Sequence, residues 1–162
     1  MISLTPVLEQ LKTKPTNFPH AWFRDFGLAA EYAQIEPAAL PLPAVWLVRA
    51  ADKADAADNE GQAEDMTLAF DAVIAIGNIR RQRAGETDDV LLAYRDAVRK
   101  RLQGWEIVAD IRPIRFLGGR VLEYTQQDIY WADRYQFNAL ITNYLPDPGP
   151  YDSLNYTGAP QL

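Results

Sequence analysis

Two stretches of the chain alternate apolar and polar positions with period two, the pattern of β-strands with one buried face. In the first, Met66 to Gly77, one side carries Met66, Leu68, Phe70, Ala72, Ile74 and Ile76, and the other carries mostly small residues. In the second, Ile129 to Ile141, one side reads Ile129, Trp131, Asp133, Tyr135, Phe137, Ala139 and Ile141. That side is apolar except for one carboxylate. At ~3.3 Å per residue the second strand reaches ~43 Å, slightly more than the ~40 Å expected across a compact domain of this size. It therefore bends or projects, and its excess length points to a sheet that continues into a neighbour.

A period of 3.6 marks the helices. Thr5-Pro6 opens a short one over about 5–13, with a hydroxyl as N-cap, proline in the first turn and Val7, Leu8 and Leu11 on one face. A second is expected over about 28–35, with Leu28, Tyr32 and Ile35 together. The clearest runs over about 88–103. Thr87 is its expected cap, Asp88 and Asp89 sit at the positive end, and Arg99, Lys100 and Arg101 at the negative end. Leu91, Tyr94, Val98 and Leu102 form its buried stripe, and Gly104 stops it.

The remaining segments fall between these elements. Phe18, Trp22, Phe23 and Phe26 lie in a loop that should tuck aromatic surface beneath something else. Pro37, Pro41 and Pro43 hold the chain extended before Val45–Val48, a buried strand. Residues 50–65 carry six carboxylates against Lys53 alone and read as a mobile or functional loop. Arg80, Arg81 and Arg83 cluster in the loop after the first long strand. Short apolar runs at 107–111 and 114–117 flank Arg112-Pro113, and Gly118-Gly119 signals a hairpin between 114–117 and 121–125. Beyond Tyr144 the periodicity ends in a proline-rich arm, 145–162, that includes Tyr151 and Tyr156. The element order predicts an α+β fold: a mostly antiparallel twisted sheet with long strands, packed by helices, in one domain over 1–144.

Composition narrows the chemistry. The 162 residues are 48% hydrophobic, contain no cysteine and carry a net charge of −6. Disulfides, thiol catalysis and zinc–thiolate sites are excluded together. Neither a signal peptide nor an apolar run long enough to span a membrane is visible, and the expectation is a protein that folds in a cytoplasm. A broad basic face for nucleic acid is not expected from an acidic chain.

No catalytic constellation emerges. His20 is the sole histidine and has no metal-ligand or acid–base partner at a useful spacing. Gly118-Gly119-Arg120 lacks the spacing of a phosphate loop, and Ser3 and Ser153 stand in no nucleophile elbow. Asp133 has no second carboxylate on its face. Its ordinary reading is a structural group at an edge, or paired with Arg134 or Arg120. The arginines at 80, 81 and 83 suit a solvated turn, or an ion pair with a neighbouring subunit's acidic loop. The expected interface residues are thus Asp52, Asp55, Asp58, Glu60, Glu64, Arg80, Arg81, Arg83, Tyr151 and Tyr156. No catalytic, cofactor or metal residue is expected.

Several segments together resemble a known family. TPVLEQLK, LPAVWLV after a proline-rich approach, the polar loop before a long strand, the charged helix ending in LQGW, FLGGRVLEY, and IYWADRYQF with its W-x-D-x-Y pattern are similar to the tail terminator (tail completion) proteins of long-tailed bacteriophages. The resemblance spans roughly 1–144. It implies a non-enzymatic virion protein that assembles with itself as a ring, usually a hexamer, on the head-proximal end of the tail tube. The ring would end tube polymerisation and meet the connector or stopper protein of the head, with DNA passing through an acidic lumen without specific binding. The alternatives are a head-side stopper or connector component and, in a different class, a small ligand-binding or enzymatic α+β domain.

Overall fold

A computed structural model describes residues 2–33, 41–54, 63–77, 86–108, 111–125 and 128–142. In chain order the elements are α1 (Thr5–Lys12), β1 (Asp25–Leu28), α2 (Ala29–Ala33), β2 (Ala44–Ala54), β3 (Ala63–Gly77), α3 (Glu86–Leu102), β4 (Arg115–Tyr124) and β5 (Asp128–Thr142). The strands form one sheet in the order β1-β2-β3-β5-β4. β1 lies parallel to β2, and every other pairing is antiparallel. The fold is α+β, as the element order predicts.

The two alternating stretches pair with each other. β3 and β5 are 15 residues each and stay in register from Ala63↔Thr142 to Gly77↔Asp128. Opposed residues therefore share a face over the whole ladder. Leu68 faces Phe137 across it, and the Phe70 and Tyr135 rings stack at 5.6 Å. With Val45 and Leu47 of β2 they form a floor on which α1 sets Val7, Leu8 and Leu11, and α3 sets Leu91, Tyr94, Val98 and Leu102. The opposite face holds a smaller cluster of Ala44, Trp46, Val73, Ala75, Tyr130 and Ala132. Beyond it the same face turns polar: Arg134 donates to Asp71 at 2.7 and 2.9 Å, and Asn138 donates to Thr67 Oγ1 at 2.9 Å.

The length of β5 thus has an internal explanation. The strand lies between β3 and β4, and β3 matches it residue for residue. It is no edge from which the sheet could continue. What projects is one end of the ladder. There β4 has stopped pairing beyond Arg115↔Gln136, and only the isolated Ile111↔Ala139 bridge continues that side.

Local expectations fare unevenly. The α3 stripe stands as read, and Gly104 takes φ +81 just past the helix, the left-handed conformation a glycine tolerates best. Its N–H donates to the Ile114 carbonyl, and the Ile114 N–H donates to the Trp105 carbonyl, so the chain folds back on itself there. The helix begins at Glu86, which places Thr87 inside the first turn rather than at the cap. In α1 the cap position is Leu4. Thr5 is already helical, and its N–H is satisfied by Ser3 Oγ at 3.1 Å. The helix also stops at Lys12 rather than 13.

Three corrections are larger, and all come from non-local backbone pairing. Asp25–Leu28, expected in a loop and the start of a helix, instead forms the parallel edge strand against Ala44–Leu47, and α2 is reduced to Ala29–Ala33. Both ends of the acidic segment are strand. Residues 50–54 extend β2, and 63–65 begin β3, because ladder hydrogen bonds do not depend on side-chain polarity. Gly118-Gly119 is not a hairpin. β4 runs straight through it with a register irregularity between Phe116 and Gly118, and continues to Tyr124, four residues before β5 begins at Asp128. There Thr125 Oγ1 accepts from the Asp128 N–H at 2.8 Å. The 107–111 run contributes only buried Ile107 and the Ile111 bridge among its described residues.

Burial along β5 makes a direct prediction. Phe137→Ala should lower stability by about 3–5 kcal/mol in urea unfolding, as for a fully buried aromatic side chain. Leu140→Ser, on the opposite face and 58% exposed, should stay within ~0.5 kcal/mol. Equal effects would contradict the assignment of faces.

Candidate interaction surfaces

Asp133 is the one carboxylate on the core face of β5, and it is 1% exposed. A buried carboxylate persists only where its charge is matched and its oxygens are bonded. The match comes from α3. Arg95 reaches the carboxylate through Nε at 3.1 Å to each oxygen and through a terminal nitrogen at 2.9 Å. Trp131, two residues back on the same face, donates its indole N–H to Oδ1 at 2.8 Å. The Arg95 guanidinium lies over that indole ring, 4.2 Å from its centroid.

The fourth participant is an absence of side chain. A Cβ on Gly119 would stand 2.0 Å from Asp133 Oδ1 and 2.6 Å from Trp131 Nε1. Gly119 opposes Asp133 across the β4–β5 ladder, next to Gly118 at φ +146. The double glycine read as a turn instead brings the edge-strand backbone close to a buried ion cluster, a recurrent use of glycine within strands. Asp133 is structural, as expected, but its partner is neither Arg134 nor Arg120. Arg134 points to the other face and pairs with Asp71, while Arg120 sits in register with Ala132, also on the other face. Sequence reading missed Arg95 and Gly119. The available signals were an arginine flanking the α3 stripe, one turn from Leu91, and glycines inside an otherwise strand-like run.

The same helix anchors the N-terminal aromatic loop. Tyr94 donates its hydroxyl to the Ala21 carbonyl and contacts the rings of Phe18, His20, Trp22 and Phe23. Trp22 in turn donates to the Leu11 carbonyl at 2.8 Å. The aromatic surface is therefore tucked under α3. His20 belongs to this packing, with its ring 5.7 Å from Phe18 and 6.1 Å from Tyr94.

Outward-facing groups are distributed unevenly. β4 is an edge strand exposed along nearly its whole length, and Leu117, Val121, Leu122 and Tyr124 all lie open on it. Arg112, Arg115 and Arg120 are exposed along the same margin, with Arg115 bonded to Asn138 Oδ1 at 3.2 Å. Val121 and Tyr124 also border a cleft of about 260 Å³ closed by Asp88 and Leu91 of α3. A shallow groove of about 520 Å³ runs between the 15–19 loop and α3. Asp96 and Lys100 in it pair with each other at 2.6 Å, so they do not converge on a ligand. Among the described residues no group of three or more histidines and carboxylates could hold a metal ion, and no helix is long and apolar enough to cross a membrane.

Of the interface residues expected from sequence, Asp52 lies on β2 and pairs with Arg49 at 3.0 Å. Arg49 also donates to the Ile2 carbonyl at 2.6 Å, which ties the middle of β2 to the segment before α1. Glu64 is on β3 in register with Ile141. Asp55, Asp58, Glu60, Arg80, Arg81, Arg83, Tyr151 and Tyr156 lie outside the described residues, as do Pro37, Ile35 and Ser153. The acidic and arginine-rich segments leave β3 from opposite ends, points that stand ~45 Å apart at ~3.3 Å per residue.

Comparison with known proteins comes to one family. A family model described as phage tail terminator protein matches residues 2–144, and no curated protein matches the chain.

The Asp133 cluster can be tested by unfolding. Arg95→Met, which strands the buried carboxylate, should cost about 3–5 kcal/mol in urea unfolding. Gly119→Ala should cost about 1–3 kcal/mol through overpacking. Combined with Asp133→Ala, Arg95→Met should cost clearly less than the sum of the two single changes, and strict additivity would show that the pair does not act as a unit.

Tyr135 offers a pH-dependent test. It is fully buried beside this cluster with its hydroxyl unbonded among the described residues. Burial, reinforced by the Asp133 charge, pushes its phenol far above the ordinary 10.0. A raised folded-state value means that this contribution to stability is complete below pH 10.0 and is lost as pH climbs toward the folded value. Tyr135→Phe should be neutral or mildly stabilising at pH 7 and should flatten the fall in melting temperature above pH ~10. An unchanged alkaline slope would remove Tyr135 as its source.

Proposed function

We propose that this chain, which belongs to the phage tail terminator family and is a structural protein of the bacteriophage virion tail, assembles with itself into a ring, six-fold by analogy with the family, that caps the head-proximal end of the tail tube. In this reading the ring stops addition of tube subunits and offers its other face to the connector or stopper protein on the head side. DNA passes through the ring without specific binding, and the protein performs no catalysis. The folded unit is 1–144, and 145–162 is an arm that contacts neighbours.

The family match over 2–144 carries this reading. Physical features of the fold support it. A ring needs head-to-tail contacts between two different surfaces of each subunit. The sheet offers two such surfaces in the open β4 edge and the projecting end of the β2–β3–β5 ladder. The Asp133–Arg95 clamp ties α3 to the strands behind the open edge, so that this surface is presented as a rigid unit. A net charge of −6 suits a conduit that DNA must traverse without sticking.

Mass photometry of the purified protein, alone and with tail tube protein, should show a discrete ring-sized species. A protein that stays monomeric and binds no tube protein in either condition would defeat the proposal. In phage lacking the protein, electron microscopy should show overlong tails; filled heads that leak DNA would instead place it on the head side. Truncation after Tyr144 should leave the thermal melt unchanged and weaken ring or partner contacts, and unchanged assembly would show the arm to be dispensable.

A further inference from the structure

We propose that β4 is a hinged strap: as a minor state of the folded subunit it lifts off β5 between two fixed ends, while the helices and the β2–β3–β5 ladder keep their packing. The closed state, with the edge strand laid on the Asp133–Arg95 clamp, predominates. Opening is a property of the single subunit and does not depend on ring formation.

Little holds β4 down. It pairs with β5 alone, and no described strand bonds its outer side. Two register irregularities, between Phe116 and Gly118 and between Val121 and Glu123, interrupt that one ladder. Gly118 and Gly119 in its middle bring no side chain to pack, and glycine loses more backbone freedom on ordering than any other residue. On the core-facing side Phe116 is partly buried, with its ring 5.5 Å from that of Tyr135 and the Arg99 guanidinium 4.7 Å from its centroid. Val121 and Tyr124 on the same side remain more than half exposed. β3, by contrast, is paired on both sides and buries Leu68, Phe70, Ile74 and Ile76.

The groups beneath tolerate being uncovered. The described hydrogen bonds to the Asp133 carboxylate come from Arg95 on α3 and Trp131 on β5, and none comes from β4. Lifting Gly119 away therefore admits water to the carboxylate without unpairing it. The buried Tyr135 hydroxyl, unbonded among the described residues, gains a water partner at the same time. Both changes lower the cost of opening. The two ends stay fixed. Before β4, the Gly104 N–H donates to the Ile114 carbonyl at 2.8 Å and the Ile114 N–H to the Trp105 carbonyl at 3.0 Å. After it, the Thr125 N–H donates to the Asp128 carbonyl at 2.9 Å. Opening is thus confined to Arg115–Tyr124, and reclosure is intramolecular. The dependence runs one way: the clamp needs only space from β4, so a side chain at position 119 displaces the strap and leaves the clamp intact.

The test is hydrogen exchange in the full-length chain, read by mass spectrometry at urea concentrations below the unfolding transition and at protein concentrations where mass photometry shows single subunits. The β4 amides bonded to β5 should exchange at least about 100-fold faster than the β3 amides. Their rate should depend little on urea, because opening uncovers little surface, whereas β3 exchange should accelerate as global unfolding does. Gly119→Leu, too large for the space beside Asp133, should bring β4 exchange close to that of an unstructured chain. In that variant β3 exchange should rise by no more than the wild-type closed-to-open ratio, because a strap already displaced costs nothing further. If Gly119→Leu does not fold, Phe116→Ala, which leaves the Asp133 cluster untouched, should give the same selective gain in β4 exchange. Wild-type β4 and β3 amides that exchange at one rate and accelerate together in urea would show that β4 opens only with the whole subunit. A folded Gly119→Leu whose β4 amides stay protected, or a folded variant whose β3 exchange rises beyond the stated ratio, would equally exclude the strap.

Discussion

A single buried carboxylate governs how this chain is put together. Asp133 sits on the core face of the longest ladder in the molecule, where desolvation would exclude it unless its charge were answered on the spot. Arg95 and the Trp131 indole answer it, and each thereby acquires a fixed position. Arg95 belongs to α3, so the helix is tied to β5 at a defined height. Trp131 lies under the guanidinium, which fixes the ring against the helix flank. The oxygens occupy the space where a Gly119 side chain would stand, so the edge strand must carry glycine there and must approach closely. A helix, a central strand and an edge strand are thus positioned around one ion, with Arg95 38 residues from Asp133 in the chain. Such a pair adds little net stability over well-packed apolar residues, but removing either partner leaves a charge that no other arrangement of these elements would match.

The rest of the core follows from that placement. With α3 held over β3 and β5, its apolar stripe joins Phe70, Ile74 and Phe137 in one core, and Tyr94 becomes the post around which the aromatic loop 18–23 wraps. α1 closes the layer by packing Val7 and Leu11 against the same surface. The helices therefore cover one face. The sheet's outer edge and its projecting end are left to be satisfied otherwise.

What could be read from the chain in one dimension was the set of faces and the elements whose cause is local. Period-two alternation identified β3 and β5 and the side each would bury, and capping charge, the Leu91–Leu102 stripe and Gly104 identified α3. The absence of cysteine and of any paired acid–base set limited the chemistry, and W-x-D-x-Y on one strand face was legible as a family trait. Its purpose was not. The aspartate's partner lies 38 residues away on a helix, and no local pattern relates the two.

Whatever depends on pairing between distant segments was settled in three dimensions. β1 exists because Asp25–Leu28 finds the β2 backbone, although its four residues carry no strand signal. The acidic ends of β2 and β3 join the ladder because its hydrogen bonds are made by the main chain, whatever side chains it carries. Gly118-Gly119 is a close approach rather than a turn because the ion cluster behind it takes up the space. The length of β5, which in one dimension pointed outside the molecule, is matched by β3 inside it, and the unsatisfied edge passes to β4. Local periodicity fixes which side of a strand is buried. Only the register of the whole sheet fixes which strand is left open.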